Sequence, residues 1–212
     1  LHNRHRAITM RDYEELVLEH FPEVDKAQCI AIPQENALLG ICIVVFSCAE
    51  DSRYFLSSAW KLEEIRRAVS RYTSPFVTVK VVNPQYEKIE VYCRVVLRDN
   101  PQRYESKVLR QLVVLAQNCI APWYRKREIP DSGQSFSYKE LHARMVNHED
   151  LLRLVLLEVD GVSLPDVDVE TEDHVFKGSK PWSILLPEIK IELLSPGDGI
   201  EKAEIGGNFI IK

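Results

Sequence analysis

The sequence predicts an α+β protein built from two small mixed α/β-sandwich-like modules joined at an Asn-Pro hinge, with a short β-rich C-terminal tail. Two observations carry this prediction. Several runs alternate apolar and polar residues with the period of a strand, and others repeat apolar residues with the period of a helix. Asn83-Pro84 stands between two of the strand-like runs, where proline lacks a backbone donor and restricts the residue before it. We therefore expect the hinge at this dipeptide.

Two helices are predicted in the first module, residues 1-83. Thr9 can cap the first helix, Asp12 suits its first turn, where acidic side chains are favourable, and the helix should end at His20. The second helix should span about Ser57 to Tyr72, because its apolar residues repeat with helical period. Its predicted inward face consists of Trp60, Ile65, Ala68, Val69 and Tyr72.

Three strands complete the first module. They are predicted at Val24 to Ile32, at Leu38 to Cys48 and at residues 75–82. The second run is almost continuously apolar, so we expect a central strand that is covered on both faces. In the third run Val77, Val79 and Val81 share one face, as alternation requires.

The second module, residues 84-160, is predicted to begin with a long strand, Tyr86 to Arg98. Every second residue of this run is apolar, which indicates one face on a core and one face in water. These apolar residues are Ile89, Val91, Cys93, Val95 and Leu97. The other predicted elements are a helix from about Arg103 to Cys119, a helix that opens with the capping box Ser137 to Glu140 and continues to about Asn147, and a strand at Leu151 to Val159.

The tail, residues 161-212, differs in character from both modules. It opens with an acidic, proline-bearing stretch, Val162 to Asp173, which predicts a surface loop. Short strands are predicted at Ser183 to Leu194 and at Glu201 to Ile211. Because this tail is too short for a core of its own, we expect it to pack on the second module or on a partner chain.

Composition narrows the class of protein. The chain has 212 residues, a net charge of −5 and a hydrophobic share of 45%, which are values of an ordinary globular protein. The negative charge argues against nucleic acid as a partner, since phosphate binding needs a concentrated positive field. The longest apolar run, Ala37 to Phe46, is too short to span a bilayer, so no direct membrane insertion is expected. Because the sequence starts at Leu1 rather than Met, we expect a fragment of a longer protein.

Five cysteines occur without any C-x-x-C pair. We expect buried free thiols in a reducing compartment, because a zinc site would need close ligand pairs and five thiols cannot all form disulfides within one chain. The cysteines are Cys29, Cys42, Cys48, Cys93 and Cys119.

No residue pattern predicts a catalytic, cofactor-binding or metal site. The acidic run from Asp166 to Asp173 alternates like a calcium loop, but Thr171 and Lys177 stand where an EF-hand needs Gly and Glu. His142 and His148 are six residues apart, whereas a metal-binding pair on one helix face is three or four apart. We interpret them as surface or cap histidines.

The basic run Arg125-Lys126-Arg127 follows Trp123 and Tyr124, and single-strand nucleic-acid binders combine basic and aromatic residues in this way. In a net-acidic chain we interpret it instead as a solvated turn or the rim of a protein interface. The sequence contains no glycine-rich phosphate loop and no nucleophile elbow. We therefore expect no enzymatic activity, no cofactor and no small-molecule ligand.

Three sequence segments together resemble the baseplate J-like family. The opening Arg6-Ala7-Ile8-Thr9, followed by Asp12-Tyr13-Glu14, resembles that family's "RAVT" and "DYE" pattern. Val81-Val82-Asn83-Pro84-Gln85-Tyr86-Glu87 resembles its "NP" and "YE" segment, and Ile120-Ala121-Pro122-Trp123 resembles its helix-ending "LSPW". The tail piece Ile205-Gly206-Gly207-Asn208-Phe209-Ile210 is similar to endings in the branch that belongs to contractile injection systems. Where many relatives carry a glycine-rich "FGG", this chain has Asp131-Ser-Gly-Gln.

This resemblance implies a structural role. Members of the family build the wedges of a contractile-tail baseplate in a phage tail, a contractile injection system or a type VI-like secretion system. It implies protein-protein interaction with other baseplate wedge and hub proteins and with copies of itself. It also implies virion assembly, or particle assembly, in the bacterial cytoplasm, and a final position in the baseplate. This chain would be the C-terminal part of such a protein.

A small-molecule-binding regulatory module is the alternative, because paired α+β units often bind ligands between them. That alternative predicts a polar-lined pocket near Asn83, whereas a scaffold predicts exposed apolar patches. An enzyme would need convergent titratable groups, which the sequence does not indicate.

We expect the substitution Pro84→Gly to loosen the connection between the two modules without unfolding either, because glycine removes the restriction on φ. Thermal melting followed by circular dichroism measures the folding of the modules. The loss of a thermal transition in the variant would contradict the hinge.

Overall fold

The computed structural model describes residues 7–33, 39–48, 54–97, 101–126, 128–146, 152–164, 167, 172–194 and 209–210. Helices and mixed sheets alternate along these ranges, which confirms the α+β prediction. The chain forms two compact units, and the second half of the sequence contributes to both. The first unit consists of Leu1–Gln85, Ile129–Gly133 and Gly178–Ile184, and the second of Tyr86–Glu128, Gln134–Lys177 and Leu185–Lys212. The hinge at Asn83-Pro84 stays a prediction.

A three-stranded sheet forms the centre of the first unit. Its strands are β1 (Lys26–Ile32), β2 (Leu39–Phe46) and β3 (Val77–Val82), in the order β1-β2-β3. β1 runs antiparallel to β2, and β2 runs parallel to β3. The central position of β2 confirms the prediction made from its apolar sequence. The sequence also predicts a turn around Pro33-Gln34-Glu35-Asn36 between the first two strands and a polar loop at Ala49 to Arg53. Residues 34–38 and 49–53 lie outside the described residues.

Two helices pack on one face of this sheet. They are α1 (Met10–His20) and α2 (Ala59–Ser70). Thr9 caps α1 as predicted: its hydroxyl accepts a hydrogen bond from Asp12 N, and the Asp12 carboxylate accepts one from Thr9 N at 2.8 Å. Tyr13 and Val17 of α1 are buried, and Ile65 and Val69 of α2 are buried with them in one core.

The predicted inward position of Trp60 is wrong. Trp60 is the second residue of α2 and is 72% exposed. The buried stripe of this helix runs through Ile65 and Val69, and Trp60 lies about 140° around the helix from Ile65. Tyr72 is partly buried and contacts His20, with ring centroids 5.6 Å apart.

β2 is buried on both faces. Ile41, Ile43 and Val45 face the helices and belong to the core with α1 and α2. The alternate residues point to the opposite face of the sheet and are also fully buried. These are Cys42, Val44 and Phe46.

The segment Ile129–Gly133 returns to this second face. Gln28, which alternation in β1 places there, accepts a hydrogen bond from Ser132 N at 2.9 Å through its side-chain oxygen. Lys26 lies two residues earlier on the same face and donates from Nζ to Pro130 O at 3.1 Å. These contacts attach a segment to β1 from more than one hundred residues away in sequence.

The segment Gly178–Ile184 returns to the same face at β3. Lys80 is the register partner of Cys42 in β2, and its Nζ lies 4.7 Å from the ring centroid of Trp182. At the end of β3, Gln85 N donates to Trp182 O at 3.1 Å. The tail therefore covers part of the second face of the first sheet, and Ile129–Gly133 covers another part.

Gly133 joins the two returning segments, because its N–H donates to Ser183 O at 2.9 Å. Its φ is 74°, and a Cβ at this position would lie 2.7 Å from Pro181 O. Only glycine fits this conformation and this close approach of two backbones.

The second unit contains a four-stranded sheet and three helices. The sheet has the order β6-β4-β8-β9, with β4 antiparallel to β6 and β8 antiparallel to β9. A small two-stranded sheet, β5 with β7, lies in the same unit. The elements are β4 (Gln85–Leu97), α3 (Pro101–Ile120), α4 (Pro122–Lys126), β5 (Ser135–Ser137), α5 (Tyr138–Val146), β6 (Leu152–Val159), β7 (Val175–Lys177), β8 (Ser183–Leu194) and β9 (Phe209–Ile210).

The core of the second unit confirms the alternation predicted for β4. Its odd-numbered residues from Ile89 to Val95 are almost completely buried against α3 and α5. Leu185, Ile189 and Ile191 of β8 join this core. This part of the tail therefore packs on the second unit, as expected from the sequence. No helix in the described ranges is both long and apolar enough to cross a membrane.

The capping box predicted at Ser137 is half confirmed. Glu140 N donates to Ser137 Oγ at 3.1 Å, as a cap requires. The Glu140 carboxylate instead accepts from Arg144 at 2.6 Å, one turn further along α5. The strand predicted at Leu151 to Val159 is confirmed as β6.

Replacing a core residue of β2 tests the burial of this strand. Ile43→Ala should lower the free energy of unfolding by about 2–5 kcal/mol, because Ile43 is completely buried and its truncation leaves a cavity. Ile8→Ala is the matched control: Ile8 is 66% exposed, so we expect a change within about 0.5 kcal/mol. Urea-induced unfolding followed by circular dichroism measures both values. Equal losses in the two variants would contradict this account of the core.

Candidate functional site

A cluster of three polar side chains lies on the face of the second sheet that points away from its core. Arg94 Nε donates to Glu192 Oε2 at 2.8 Å and to the Tyr92 hydroxyl at 2.9 Å. The Tyr92 hydroxyl in turn donates to the Glu192 carboxylate. Glu192 is only 6% exposed, so its carboxylate is buried, whereas Tyr92 and Arg94 are partly exposed.

The alternation of β4 and β8 places these residues on one face. Two further pairs join the same strands: Lys88 to Glu188 at 3.4 Å and Lys190 to Glu90 at 3.7 Å. The contacts of Tyr92 with Glu192, of Lys88 with Glu188 and of Glu90 with Lys190 each join residues one hundred positions apart. Such a constant offset is the pattern of neighbouring strands that run in the same direction. Cross-strand ion pairs therefore line this face of the sheet.

The cluster is suited to joining strands and not to proton transfer. Hydrogen bonds from Tyr92 and Arg94 lower the pKa of Glu192, so it stays ionised at neutral pH. Burial and the neighbouring carboxylate raise the pKa of Tyr92, so it stays protonated. Neither pKa moves towards neutrality, which is where a general acid or base needs it.

The buried cysteines are unreactive thiols. Burial raises the pKa of Cys29 and of Cys93 to about 12 and that of Cys42 to about 11. A thiol with so high a pKa carries almost no nucleophilic thiolate at neutral pH. The sequence-based prediction of buried free thiols is confirmed for these three, whereas Cys119 is partly buried and Cys48 is exposed.

His142 and Asp173, two of the candidate metal ligands, contact other groups of the fold. His142 is partly buried beside Tyr138, with ring centroids 6.3 Å apart, and burial lowers its pKa. The Asp173 carboxylate accepts hydrogen bonds from Ser137 Oγ and Lys139 N. Among the described residues, no group of three or more His, Cys, Asp or Glu side chains could hold a metal ion. His148 and most of the acidic run from Asp166 lie outside the described residues.

The aromatic residue next to the basic run is part of the protein interior. Trp123 is 5% exposed and packs between Tyr86 and Tyr124, with ring centroids at 6.2 and 5.7 Å. Its ring faces are therefore not available to stack on a nucleic-acid base. Arg125 and Lys126 are exposed at the end of α4, as predicted for a solvated turn.

Both polar atoms of the Asn83 side chain form hydrogen bonds with the backbone of Ser57. Its Oδ1 accepts from Ser57 N at 2.8 Å, and its Nδ2 donates to Ser57 O at 2.8 Å. Ser57 Oγ also contacts Ser47 Oγ at 2.8 Å. Asn83 therefore connects the end of β3 to the segment that leads into α2.

Large apolar side chains are exposed on the first unit. The scaffold hypothesis predicts such positions, because a contact surface must expose apolar area before its partner binds. Among the described residues they are Ile8, Met10, Leu18, Tyr54, Leu56, Trp60 and Phe76, and Val175 adds one on the second unit.

One of these residues borders a shallow groove, which we call the Trp60 groove. Its volume is about 360 Å³, and the face of α2 that points away from the sheet forms most of its wall. Sequence analysis missed this groove because it placed Trp60 in the core. The lining residues are Phe21, Trp60, Glu63, Glu64, Arg67, Ala68 and Arg71.

Most charges of the Trp60 groove are paired along α2. Glu63 accepts from Arg67 at 2.8 Å and from Arg66 at 2.7 Å, and these guanidinium groups lower the pKa of Glu63 to about 2. Glu64 accepts from Lys61 at 3.0 Å. The two carboxylates of the groove therefore already have cationic partners.

Comparison with known proteins gives a structural likeness only. No protein-family model matches the chain, and no curated protein sequence matches it. Several solved structures match its fold.

The fold is similar to part of an anti-feeding prophage baseplate protein. That protein comes from the six-fold symmetrised cryo-electron-microscopy structure of the baseplate. The TM-score is 0.56 at 19% sequence identity, over 87% of this chain. The match covers 38% of the baseplate chain, so it concerns a part of a longer protein. At this identity the likeness establishes the fold.

Glu192→Gln tests the role of the buried cluster. At neutral pH we expect it to lower the free energy of unfolding by about 1–3 kcal/mol, because it removes the charge that Arg94 pairs with in a buried position. The control Glu188→Gln, on the same strand in a more exposed pair, should cost about 0.5 kcal/mol or less.

The pH dependence of this difference follows from the lowered pKa of Glu192. A carboxylate with a lowered pKa in the folded state stabilises the fold above its ordinary pKa of 4.5. That contribution is lost as the pH falls through the folded-state pKa. The difference in free energy of unfolding between the natural protein and Glu192→Gln should therefore become smaller below pH 4.5. Urea-induced unfolding measured at a series of acidic pH values tests this. A gap that grows in acid would contradict the assignment.

Proposed function

We propose that this chain is a structural component of the baseplate of a phage-like contractile tail or contractile injection system, where it acts as a protein-protein scaffold. The observation that carries the proposal is the similarity of the fold to an anti-feeding prophage baseplate protein over 87% of the chain. The sequence segments that resemble the baseplate J-like family support the same assignment independently, because that resemblance rests on residues and not on the fold.

The chemistry of the described residues agrees with a scaffold. The polar side chains that could have formed a reacting centre are engaged in contacts within the fold: Glu192 with Arg94, and Asn83 with the backbone of Ser57. What the surface offers instead is exposed apolar area on the first unit. Distributed contacts of this kind are typical of protein interfaces.

In finer detail, we propose a wedge position within the baseplate. The partners would be other wedge and hub proteins and further copies of this chain, assembled in the bacterial cytoplasm. The six-fold symmetry of the similar baseplate supports the use of several copies.

Purification of the full-length protein from its native cell tests this proposal. A tagged protein should co-purify with sheath, tube or wedge proteins, which mass spectrometry identifies, and negative-stain images should show baseplates or tails. An untagged strain provides the control for non-specific capture. A monomer without any of these partners, carrying a bound metabolite, would contradict the proposal and favour the small-molecule-binding alternative.

A further inference from the structure

We propose that the Trp60 groove binds a segment of a neighbouring baseplate protein that inserts one apolar side chain beside Trp60 and places a carboxylate on Arg71. The inference rests on the proposed function and deepens it, because it gives one contact of the scaffold a location and a chemistry. Two independent features of the groove support it: the exposed side chain of Trp60, and the guanidinium of Arg71, which has no ion pair with the described residues.

The apolar part of the groove centres on Trp60, the second residue of α2. The Trp60 side chain is 72% exposed, and Phe21 and Ala68 border the same depression. Exposed tryptophan leaves a large apolar area in water, and burying it in an interface is strongly favourable. The groove volume of about 360 Å³ can take a large side chain. Tryptophan is also enriched among the residues that dominate binding energies at interfaces.

The charge of the groove selects an acidic partner. Glu63 and Glu64 are paired with Arg67 and Lys61, so neither carboxylate needs a basic group from outside. The exposed Arg71 guanidinium lines the groove and forms no ion pair with any residue in the described ranges. A carboxylate can accept two parallel hydrogen bonds from such a guanidinium. The groove therefore complements a negative and not a positive segment.

The helix sets the distance between these two features. Trp60 and Arg71 are eleven residues apart and lie on one face of α2, with Arg67 between them. A rise of 1.5 Å per residue separates their Cα atoms by about 16 Å along the helix axis. The bound segment should therefore carry its apolar residue and its acidic residue about five positions apart if it is extended.

The first test uses a small probe on the isolated full chain. The probe is an N-acetylated, C-amidated hexapeptide of sequence Phe-Ser-Thr-Ser-Thr-Asp, whose aromatic ring and carboxylate are five positions apart, and the indole N–H resonance of Trp60 reports its binding by NMR. We expect a saturable shift, with an apparent affinity several-fold lower for the same peptide ending in Asn and for the Arg71→Gln variant. Equal affinities for the two peptides, or no shift with either, would overturn the proposed carboxylate contact.

The second test measures incorporation into the native particle. Trp60→Ala and Arg71→Glu should each lower the amount of chain that co-purifies with the baseplate by about tenfold or more. Phe76→Ala is the matched aromatic control, because Phe76 is also 72% exposed but lies outside the groove; Arg110→Glu is the control for charge reversal. Thermal melting confirms that each variant is folded.

Photo-crosslinking identifies the occupant. In the assembled particle, a benzoyl-phenylalanine at position 60 should crosslink to a segment of another protein, and this segment should carry an acidic residue. Changing that acidic residue to Lys should restore the incorporation of the Arg71→Glu variant, because the two charges are then exchanged. A crosslink to a second copy of this chain, or to a segment without an acid, would overturn the inference. Normal incorporation of both groove variants would overturn it while leaving the proposed function intact. Absence of the natural chain from the baseplate fraction would overturn both.

Discussion

The burial of β2 on both faces is the constraint on which the first unit depends. A strand whose residues from Ile41 to Phe46 are all apolar cannot leave either face in water. The helices α1 and α2 cover one face. The second face is covered by Ile129–Gly133 and Gly178–Ile184, which Lys26, Gln28 and Lys80 contact from the flanking strands. The discontinuous composition of the first unit follows from this requirement.

In the second unit, the long strand β4 has one apolar face to cover. β4 alternates from Ile89 to Val95, so one of its faces is apolar there, and the other forms cross-strand pairs with β8 around the buried Glu192. In the first unit, a side chain also forms a hydrogen bond with the backbone of an edge strand. On β1, Cys29 N donates to Glu14 Oε1 at 2.8 Å, so this donor is not available to pair with another strand. The first unit therefore offers side chains such as Trp60, and not this backbone donor, to a partner.

Local sequence patterns predicted most of the secondary structure because they act within one element. The cap at Thr9, the central strand β2 and the alternating strand β4 were all predicted correctly. Contacts between distant segments could not be predicted in the same way. Nothing in the sequence pairs Glu192 with Arg94, or Gly133 with Ser183, because these contacts depend on the order of strands in space.

The candidate site shows the same limit. Trp60 was predicted to face inward with the other apolar residues of α2, although its spacing from Ile65 and Val69 puts it on another face of the helix. The helical period could have revealed this. The pairing of Glu63 and Glu64 also follows from spacing along one helix, whereas the groove itself depends on Phe21, which comes from outside α2.

Cryo-electron microscopy of the particle purified from the native cell tests the central claim most directly. The account predicts density for this fold in the baseplate, in several symmetry-related copies, with exposed apolar residues of the first unit covered by neighbouring proteins. A complete baseplate in which no density fits this fold would contradict it.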